Sequence, residues 1–248
     1  MNEIVSWLRQ RATAANARGF VVGLSGGIDS AVVARLCQLA APGHVAAVIM
    51  PCGTDPQDEA DAILVADTFD IPPVRIDLES ACDALVSEAR VGLDGLTSQM
   101  RPRGDEDRDR VALANVRPRL RMTVLYFLAN SLDYLVAGTG NRSELTIGYF
   151  TKHGDGGVDV LPLGHLLKSE VRTLAKQLGV PQAIIDKAPS AGLWQGQTDE
   201  AEMGFTYADL ERYLTHGPEG VSPALALRLE RIIRSTEHKR TLPPTPES

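Results

Sequence analysis

Ser25-Gly26-Gly27-Ile28-Asp29-Ser30 is the stretch that decides the fold of this chain. An apolar run at residues 20–24 precedes it, and a helical pattern at residues 31–40 follows it. Strand, tight glycine turn and helix in this order are the repeating unit of a parallel α/β sheet. Three more apolar runs predict further buried parallel strands, at residues 45–50, 74–78 and 134–137.

Helical patterns separate and flank these runs. They lie at residues 3–15, 58–69, 80–89, 109–130 and 168–178. Alternating strands and helices predict a doubly wound α/β fold, with one parallel sheet and flanking helices. The length of 248 residues and the hydrophobic content of 44% suit a single large domain over residues 1–248.

The residue types of the glycine turn favour a phosphate ligand. Its glycines let the backbone approach a ligand closely, and unpaired N–H groups at the helix start carry partial positive charge. Ser25 and Ser30 add hydroxyl donors. Asp29 would be repelled by phosphate, so it suits a magnesium ion that bridges to the phosphate oxygens. The turn lacks the GK[ST] of a Walker A loop and the G-x-G-x-x-G of a dinucleotide fingerprint. An ordinary glycine-rich turn without a ligand is the alternative interpretation.

Two other turns follow predicted strands, at residues 51–53 and 138–140. Ligands of doubly wound sheets bind beyond the carboxyl ends of the strands. We therefore expect the three turns to meet in one crevice.

Composition and charge argue against several classes of protein. A formal net charge of −7 and a pI near 5.3 argue against a general nucleic-acid binder. Cys37, Cys52 and Cys82 are far apart and form no C-x-x-C, so neither a zinc site nor a redox pair is indicated. Free thiols predict the reducing cytoplasm, and Cys37 is expected to be a small core side chain. No apolar run approaches the ~20 residues of a membrane-spanning helix.

Two segments differ from the rest in composition. Residues 93–110 are strongly charged and predict a mobile loop, which is either simply solvated or orders over a substrate. Residues 241–248 contain three prolines and predict an irregular tail.

The second half of the chain contains more specific stretches. GTGNRSE at residues 138–144 is another strand-to-helix turn, with Glu144 in the first helical turn. GYFTKHGDGG at residues 148–157 has four glycines, so it predicts an irregular loop. Its aromatic, basic and acidic side chains suit a flat ligand with polar edges. Three further stretches follow: LPLGHLLKSEVR at 161–172, KAPSAGLWQGQTDE at 187–200 and EHKR at 237–240.

SGGIDS resembles the pyrophosphate-binding loop of the N-type ATP pyrophosphatases, which have an adenine nucleotide α-hydrolase-like fold and cleave ATP between its α- and β-phosphates. Together with the five later stretches, it resembles the ammonia-dependent NAD synthetases of that family, from about residue 20 to residue 240. The resemblance implies a homodimer with Mg²⁺ as cofactor. The implied reaction converts deamido-NAD, ATP and ammonia to NAD, AMP and pyrophosphate, the last step of NAD biosynthesis.

The resemblance also implies roles for individual residues of this sequence. The magnesium ligands would be Asp29 and Glu144. ATP would be bound by Gly23, Leu24, Ser25, Gly26, Gly27, Ile28, Asp29, Ser30, Thr139, Lys168 and Ser190. Deamido-NAD would be bound by Arg119, Lys152, Asp159, His238 and Lys239. Pro118 and the short tail after Lys239 depart from the pattern of some relatives.

The implied chemistry needs no covalent nucleophile. A carboxylate is a poor electrophile, and adenylation gives it a good leaving group that ammonia can displace. The enzyme must align carboxylate with phosphate and neutralise the departing pyrophosphate. No cysteine lies on a domain of its own, so we expect ammonia as nitrogen source, with a separate glutaminase as a possible supplier.

Two alternatives remain open. Another ligase of the same family, such as the synthetase part of GMP synthetase, would share SGGIDS but is not expected to carry GYFTKHGDGG. A catalytically silent nucleotide-binding regulator would be indicated by loss of Asp29 or Glu144, and both are present.

Overall fold

The computed structural model of the chain describes residues 1–97, 106–190 and 198–246, and for residues 106 and 107 it describes the backbone alone. Four strands form one parallel sheet in the order β3-β2-β1-β4. They are β1 (Gly19–Gly23), β2 (Val45–Ile49), β3 (Pro73–Arg75) and β4 (Tyr134–Val136). Phe20 pairs with Val45 on one side and with Leu135 on the other, so β1 lies in the interior of the sheet.

Eleven α-helices surround the sheet in the described residues. They are α1 (Asn2–Ala14), α2 (Ile28–Ala40), α3 (Pro56–Thr68), α4 (Glu79–Asp94), α5 (Glu106–Leu132), α6 (Arg142–Ile147), α7 (Lys168–Leu178), α8 (Gln182–Asp186), α9 (Asp199–Met203), α10 (Tyr207–His216) and α11 (Pro223–Ser235). Two short 3-10 helices lie at Gly217–Gly220 and Glu237–Lys239.

Alternate residues of each strand face opposite sides of the sheet, and both sides are covered. Phe20 and Val22 lie in a core with α1, α2 and α7. Val21 lies in a second core with α4 and α5. Burial on both faces explains the continuous apolar runs and confirms the prediction of a doubly wound α/β fold.

The third predicted strand was wrong in extent and in burial. Residues 74–78 were expected to form a buried strand, but β3 spans only Pro73–Arg75 and all three of its residues are exposed. β3 is the edge strand of the sheet, where pairing on one side suffices. After β3 the chain turns toward the core. Leu78 is buried there, and its N–H donates to the Pro51 carbonyl at 2.9 Å.

The two segments of unusual composition lie partly outside the described residues. The expected mobile loop at 93–110 includes the end of α4 and the start of α5, while residues 98–105 are not described. Residues 241–246 of the expected tail form no helix or strand and are exposed. In the described parts of the chain, no helix is both long enough and apolar enough to span a membrane.

A third core joins the helices near the carboxyl end of the chain. Ile147 of α6 packs with Tyr207 and Leu210 of α10 and with Leu229 of α11. This core packs α6, α10 and α11 together, and it places Tyr207 at the site described below.

Candidate active site

A cleft of about 470 Å³ lies at the carboxyl ends of the strands. The turns that follow β1, β2 and β4 contribute to its wall, as expected for a doubly wound sheet. Most of the residues predicted to bind ATP line it. These are Gly23, Leu24, Ser25, Gly27, Ile28, Asp29, Ser30, Thr139, Lys168 and Ser190.

The glycine turn after β1 is folded by its own hydroxyl groups. Ser30 Oγ donates to the Gly27 carbonyl at 2.9 Å and accepts from the Ser25 N–H at 3.2 Å. The Gly27 N–H donates to Ser25 Oγ at 3.3 Å, and Gly27 is the N-cap of α2. In this state the Ser30 hydroxyl proton is therefore used within the turn.

Gly26 fixes the position of this turn against α3. Its φ of +75° is in the left-handed region, and it is buried against the first turn of that helix. A Cβ at this position would lie 2.9 Å from the Asp61 Cβ and closer still to the Asp58 carbonyl oxygen. The turn therefore requires glycine here on both conformational and steric grounds.

Three charged side chains meet at the floor of the cleft. The Lys168 ammonium donates to Asp29 Oδ2 in a short ion pair, and to Glu144 Oε1 at 3.1 Å. Asp29 stands in the first turn of α2, Glu144 in the first turn of α6 and Lys168 at the first residue of α7. Asn141 and Lys168 both donate to the Asp29 carboxylate, although they lie 112 and 139 positions from Asp29 in the sequence.

Asn141 orients both carboxylates. Its side-chain amide donates to Asp29 Oδ1 at 3.0 Å, while its side-chain oxygen accepts from the Glu144 N–H at 3.1 Å. Glu144 Oε2 in turn accepts from the Asn141 N–H at 3.2 Å, which completes the capping box of α6. Asn141 is fully buried, so this arrangement is held rigidly.

Burial dominates the electrostatics of this centre. Burial raises the pKa of the Glu144 carboxyl to about 7, with the nearby Asp29 acting in the same direction and Lys168 opposing it. Burial also opposes the charge of Lys168, yet attraction to Asp29 and Glu144 raises its pKa above the ordinary value. Two carboxyl groups therefore share one ammonium.

Sequence reasoning assigned no role to Asp199 or Tyr207, which extend this centre. The Tyr207 hydroxyl donates to Asp199 Oδ2 at 2.7 Å and lies 3.2 Å from Glu144 Oε1. Asp199 is 4% exposed, and its Oδ1 has no hydrogen-bond partner among the described residues. The QTDE stretch at residues 197–200 could have indicated Asp199 as a site residue, whereas nothing in the sequence distinguishes Tyr207 from a core tyrosine.

Lys187 is a second functional candidate that sequence reasoning missed. It donates to Asp58 Oδ1 at 2.8 Å and forms a short ion pair with Asp61, both on α3. The Pro189 carbonyl accepts from the Asp199 N–H at 3.0 Å. These contacts hold the segment that carries Ser190 at the wall of the cleft.

The structure connects three of the residues predicted to bind deamido-NAD. The Arg119 guanidinium donates to the Lys152 carbonyl at 3.3 Å, and Lys152 Nζ donates to the His238 carbonyl at 2.5 Å. Lys239 Nζ donates to the carbonyls of Gly148 and Phe150, each at 2.7 Å. The terminal EHKR stretch therefore holds the glycine-rich loop in place.

The predicted residues Lys239 and Asp159 lie in different surroundings. Lys239 lines the cleft. Asp159 instead accepts from the Tyr126 hydroxyl at 2.9 Å and from the Val136 N–H at 2.8 Å, which ties α5 to β4. Arg121, one helical turn from Arg117, lines the cleft and donates to the Met50 carbonyl at 3.1 Å. Arg119, the arginine predicted from sequence, is not among the residues that line the cleft.

The donor set at the cleft floor fits a magnesium ion. Asp29 and Glu144 present carboxylate oxygens from two different helices toward one shared cation, Lys168. Magnesium in nucleotide sites is commonly held by one or two carboxylates together with phosphate and water oxygens. A cage made of protein ligands alone is not expected, and among the described residues no group of three or more His, Cys, Asp or Glu suits a metal.

Comparisons with known proteins agree over almost the whole chain. The sequence model of the NAD synthase family matches residues 1–243. An NH(3)-dependent NAD(+) synthetase of Carboxydothermus hydrogenoformans is 50% identical, over 98% of this chain and 95% of the relative. An NMN synthetase of Francisella tularensis has a similar structure, with a TM-score of 0.88 and 39% identity, over 100% of this chain and 97% of that one. An NH3-dependent NAD synthetase of Campylobacter jejuni has a TM-score of 0.78 and 28% identity, over 99% and 97%.

These likenesses confirm both the fold class and the family that the sequence motifs indicated. The match is not confined to the glycine turn, because it extends through the glycine-rich loop to the terminal basic stretch. The chain belongs to the NAD synthase family.

Proposed function

We propose that this protein is a ligase that amidates deamido-NAD with ammonia at the expense of ATP, giving NAD, AMP and pyrophosphate. Membership of the NAD synthase family supports the reaction class. The observation that carries the proposal is the convergence of Asp29, Glu144 and Lys168 beside the glycine turn. A phosphate-binding turn next to paired carboxylates and a lysine suits chemistry on a nucleoside triphosphate.

The proposed first step is attack of the nicotinate carboxylate oxygen on the α-phosphorus of ATP. The bond from the α-phosphorus to pyrophosphate breaks, and an acyl-adenylate forms. Backbone N–H groups of the glycine turn hold the phosphates. Asp29 and Glu144 would hold Mg²⁺, which supplies charge neutralisation for the phosphates when bound. Lys168 and Ser190 bind the departing pyrophosphate.

In the proposed second step, ammonia attacks the acyl carbon and AMP leaves. This chain offers no activated thiol for releasing ammonia from glutamine, because its three cysteines are all buried. Burial raises the pKa of Cys37 far above its ordinary value and that of Cys52 to about 11. Ammonia is therefore the proposed nitrogen source, with a separate glutaminase as its possible supplier in the cell.

Binding of deamido-NAD is proposed at the loop of residues 148–157. There Arg119 donates to the Lys152 carbonyl and Lys152 donates to the His238 carbonyl, while Lys239 holds the loop from the cleft side. The Arg119 guanidinium and the ammonium groups of Lys152 and Lys239 suit the phosphates of a dinucleotide. Asp159 is also a proposed contact of deamido-NAD, although its oxygens already accept hydrogen bonds from Tyr126 of α5 and Val136 of β4.

We also propose that two copies of the chain associate through α5. This helix leaves apolar side chains uncovered, with Val111 51% exposed and Phe127 69% exposed. Large apolar side chains at such exposure are more stable when covered by another surface. A second copy would extend the wall of the deamido-NAD site, since Arg119 lies on the same helix.

A second candidate substrate is the mononucleotide that lacks the adenylate half of deamido-NAD. The similarity to an NMN synthetase over the full chain favours it. Both candidates present the same nicotinate carboxylate, so Asp29, Glu144 and Lys168 would act in the same way on either. The difference would lie in the dinucleotide contacts of Lys152 and its neighbours.

The test is a steady-state assay with each acid substrate and each nitrogen source. Wild-type protein is supplied with ATP, Mg²⁺ and either deamido-NAD or nicotinate mononucleotide, with ammonium chloride or glutamine. We expect formation of NAD from deamido-NAD with ammonium, and equimolar AMP and pyrophosphate. A higher kcat/KM for the mononucleotide would establish the second candidate. ATP binding without turnover of either acid would contradict both and indicate a regulator.

A further inference from the structure

The Lys168 ammonium lies between two carboxylates in this structure. Its contacts are Asp29 Oδ2, Glu144 Oε1 at 3.1 Å and the face of the Tyr207 ring, whose centroid is 5.2 Å from Nζ. The two carboxylates use two of the three N–H donors of the ammonium, and the Tyr207 ring adds a cation–π contact. The side chain is 4% exposed, so water does not replace any of them easily. Lys168 as it stands has at most one N–H for a phosphate, because the carboxylates hold the other two.

The carboxylate oxygens of the centre are also hydrogen-bonded. Asp29 Oδ1 accepts from Asn141 and Oδ2 from Lys168. Glu144 Oε2 accepts from the Asn141 N–H, while Oε1 accepts from Lys168 and lies within hydrogen-bond distance of the Tyr207 hydroxyl. A metal ion that used Asp29 and Glu144 would have to displace the ammonium from the point where both carboxylates converge.

Lys168 is also the cation that makes this arrangement stable. Among the described residues, no other lysine, arginine or histidine forms an ion pair with Asp29 or Glu144. Two partly buried carboxylates without a counter-ion are costly. Lys168 occupies the first residue of α7, where the helix dipole disfavours a cation. Its position there is explained by the carboxylates and not by its own helix.

We propose that Lys168 is a built-in placeholder for the metal, occupying the Asp29–Glu144 site until Mg²⁺ arrives with the nucleotide. This inference rests on the proposed magnesium role of those two carboxylates. Asp29 and Glu144 would hold the metal through their carboxylate oxygens, and the displaced Lys168 ammonium would then donate to phosphate oxygens of the nucleotide. Mg²⁺ alone gives the ammonium no anion to move to, so the free protein binds the metal weakly. Lys168 is thus a positioning residue for the metal before it is a ligand of the phosphates.

The test measures metal binding without nucleotide, so it does not depend on which acid the enzyme uses. Binding of Mn²⁺ is followed from the electron paramagnetic resonance signal of the free ion, with Mg²⁺ as competitor, and Mg²⁺ titrations are repeated by thermal unfolding. The variants are Lys168→Met and Lys168→Gln. Lys176→Met is the matched control, because Lys176 is an exposed lysine on the same helix.

We expect Lys168→Met to bind Mn²⁺ roughly tenfold or more tightly than wild type, because the competing cation is gone. Lys176→Met should match wild type. Adding Asp29→Asn to Lys168→Met should abolish the gain, because one of the two ligands is lost. Folding of either Lys168 variant only when Mg²⁺ is present would also support the proposal, since the metal then replaces the ammonium.

Equal or weaker Mn²⁺ binding by the folded Lys168 variants would overturn the proposal. Failure of both variants to fold, with or without Mg²⁺, would overturn it as well, because Lys168 would then be needed for reasons a metal does not satisfy. Absence of NAD formation by the wild type would instead count against the proposed function, and the metal titrations would stand.

Discussion

Replacing Gly26 by alanine should destabilise the protein through two separable effects. At φ +75° an L-residue costs about 1–2 kcal/mol relative to glycine. The new Cβ would also lie 2.9 Å from the Asp61 Cβ and closer to the Asp58 carbonyl oxygen, a backbone atom of α3 that cannot rotate away. Overpacking of this kind typically adds about 1–3 kcal/mol. We therefore expect Gly26→Ala to lower the free energy of unfolding by about 2–5 kcal/mol.

Gly43→Ala is the matched control for the steric part. Gly43 has a φ of +78°, and a Cβ there would meet nothing within 4 Å. Gly43→Ala should lower the free energy of unfolding by about 1–2 kcal/mol, which is the conformational cost alone. Urea unfolding of both variants and the wild type, with the m-value checked for constancy, measures the difference. Equal losses of unfolding free energy for the two variants would show that a Cβ at position 26 does not clash with α3. That result would refute the steric part of this prediction.

Three further predictions concern the site. Asp29→Ala and Glu144→Ala should each remove most turnover while leaving thermal unfolding cooperative, and near-wild-type turnover at saturating Mg²⁺ would contradict the metal assignment. Lys152→Ala should raise KM for deamido-NAD far more than KM for ATP, whereas equal rises would show that it serves both. Because burial first, and the neighbouring Cys82 second, raise the pKa of Cys52 to about 11, its thiol is protonated at neutral pH. Iodoacetamide should therefore label the native protein slowly, faster as pH rises toward that value, and fully after denaturation; rapid labelling at neutral pH would disagree.

The sheet and the phosphate turn were accessible from sequence because they depend on local patterns. Continuous apolar runs such as residues 20–24 mark strands buried on both faces, and the glycine turn follows at once. β3 was placed less well, since an exposed edge strand lacks that pattern. Its apolar residues continue into a segment that packs beneath the sheet edge instead of extending the strand.

The charged contacts depend on distances that the sequence does not contain. Lys168 and Asp29 are 139 residues apart, and their ion pair exists because α2 and α7 pack on the same face of the sheet. Packing in the third core places Tyr207 beside Glu144, and no sequence motif predicts that packing. The sequence could name the residue types needed for phosphate chemistry, but it could not show that Lys168 already fills the place between the carboxylates.

Adenylation of the acid substrate is the central claim, and an oxygen-18 label tests it most directly. Deamido-NAD labelled in the nicotinate carboxylate is converted with ATP, Mg²⁺ and ammonium, and the products are analysed by mass spectrometry. Attack of the carboxylate on the α-phosphorus predicts one labelled oxygen in each AMP and none in pyrophosphate. Unlabelled AMP, or label recovered in inorganic phosphate, would contradict the account.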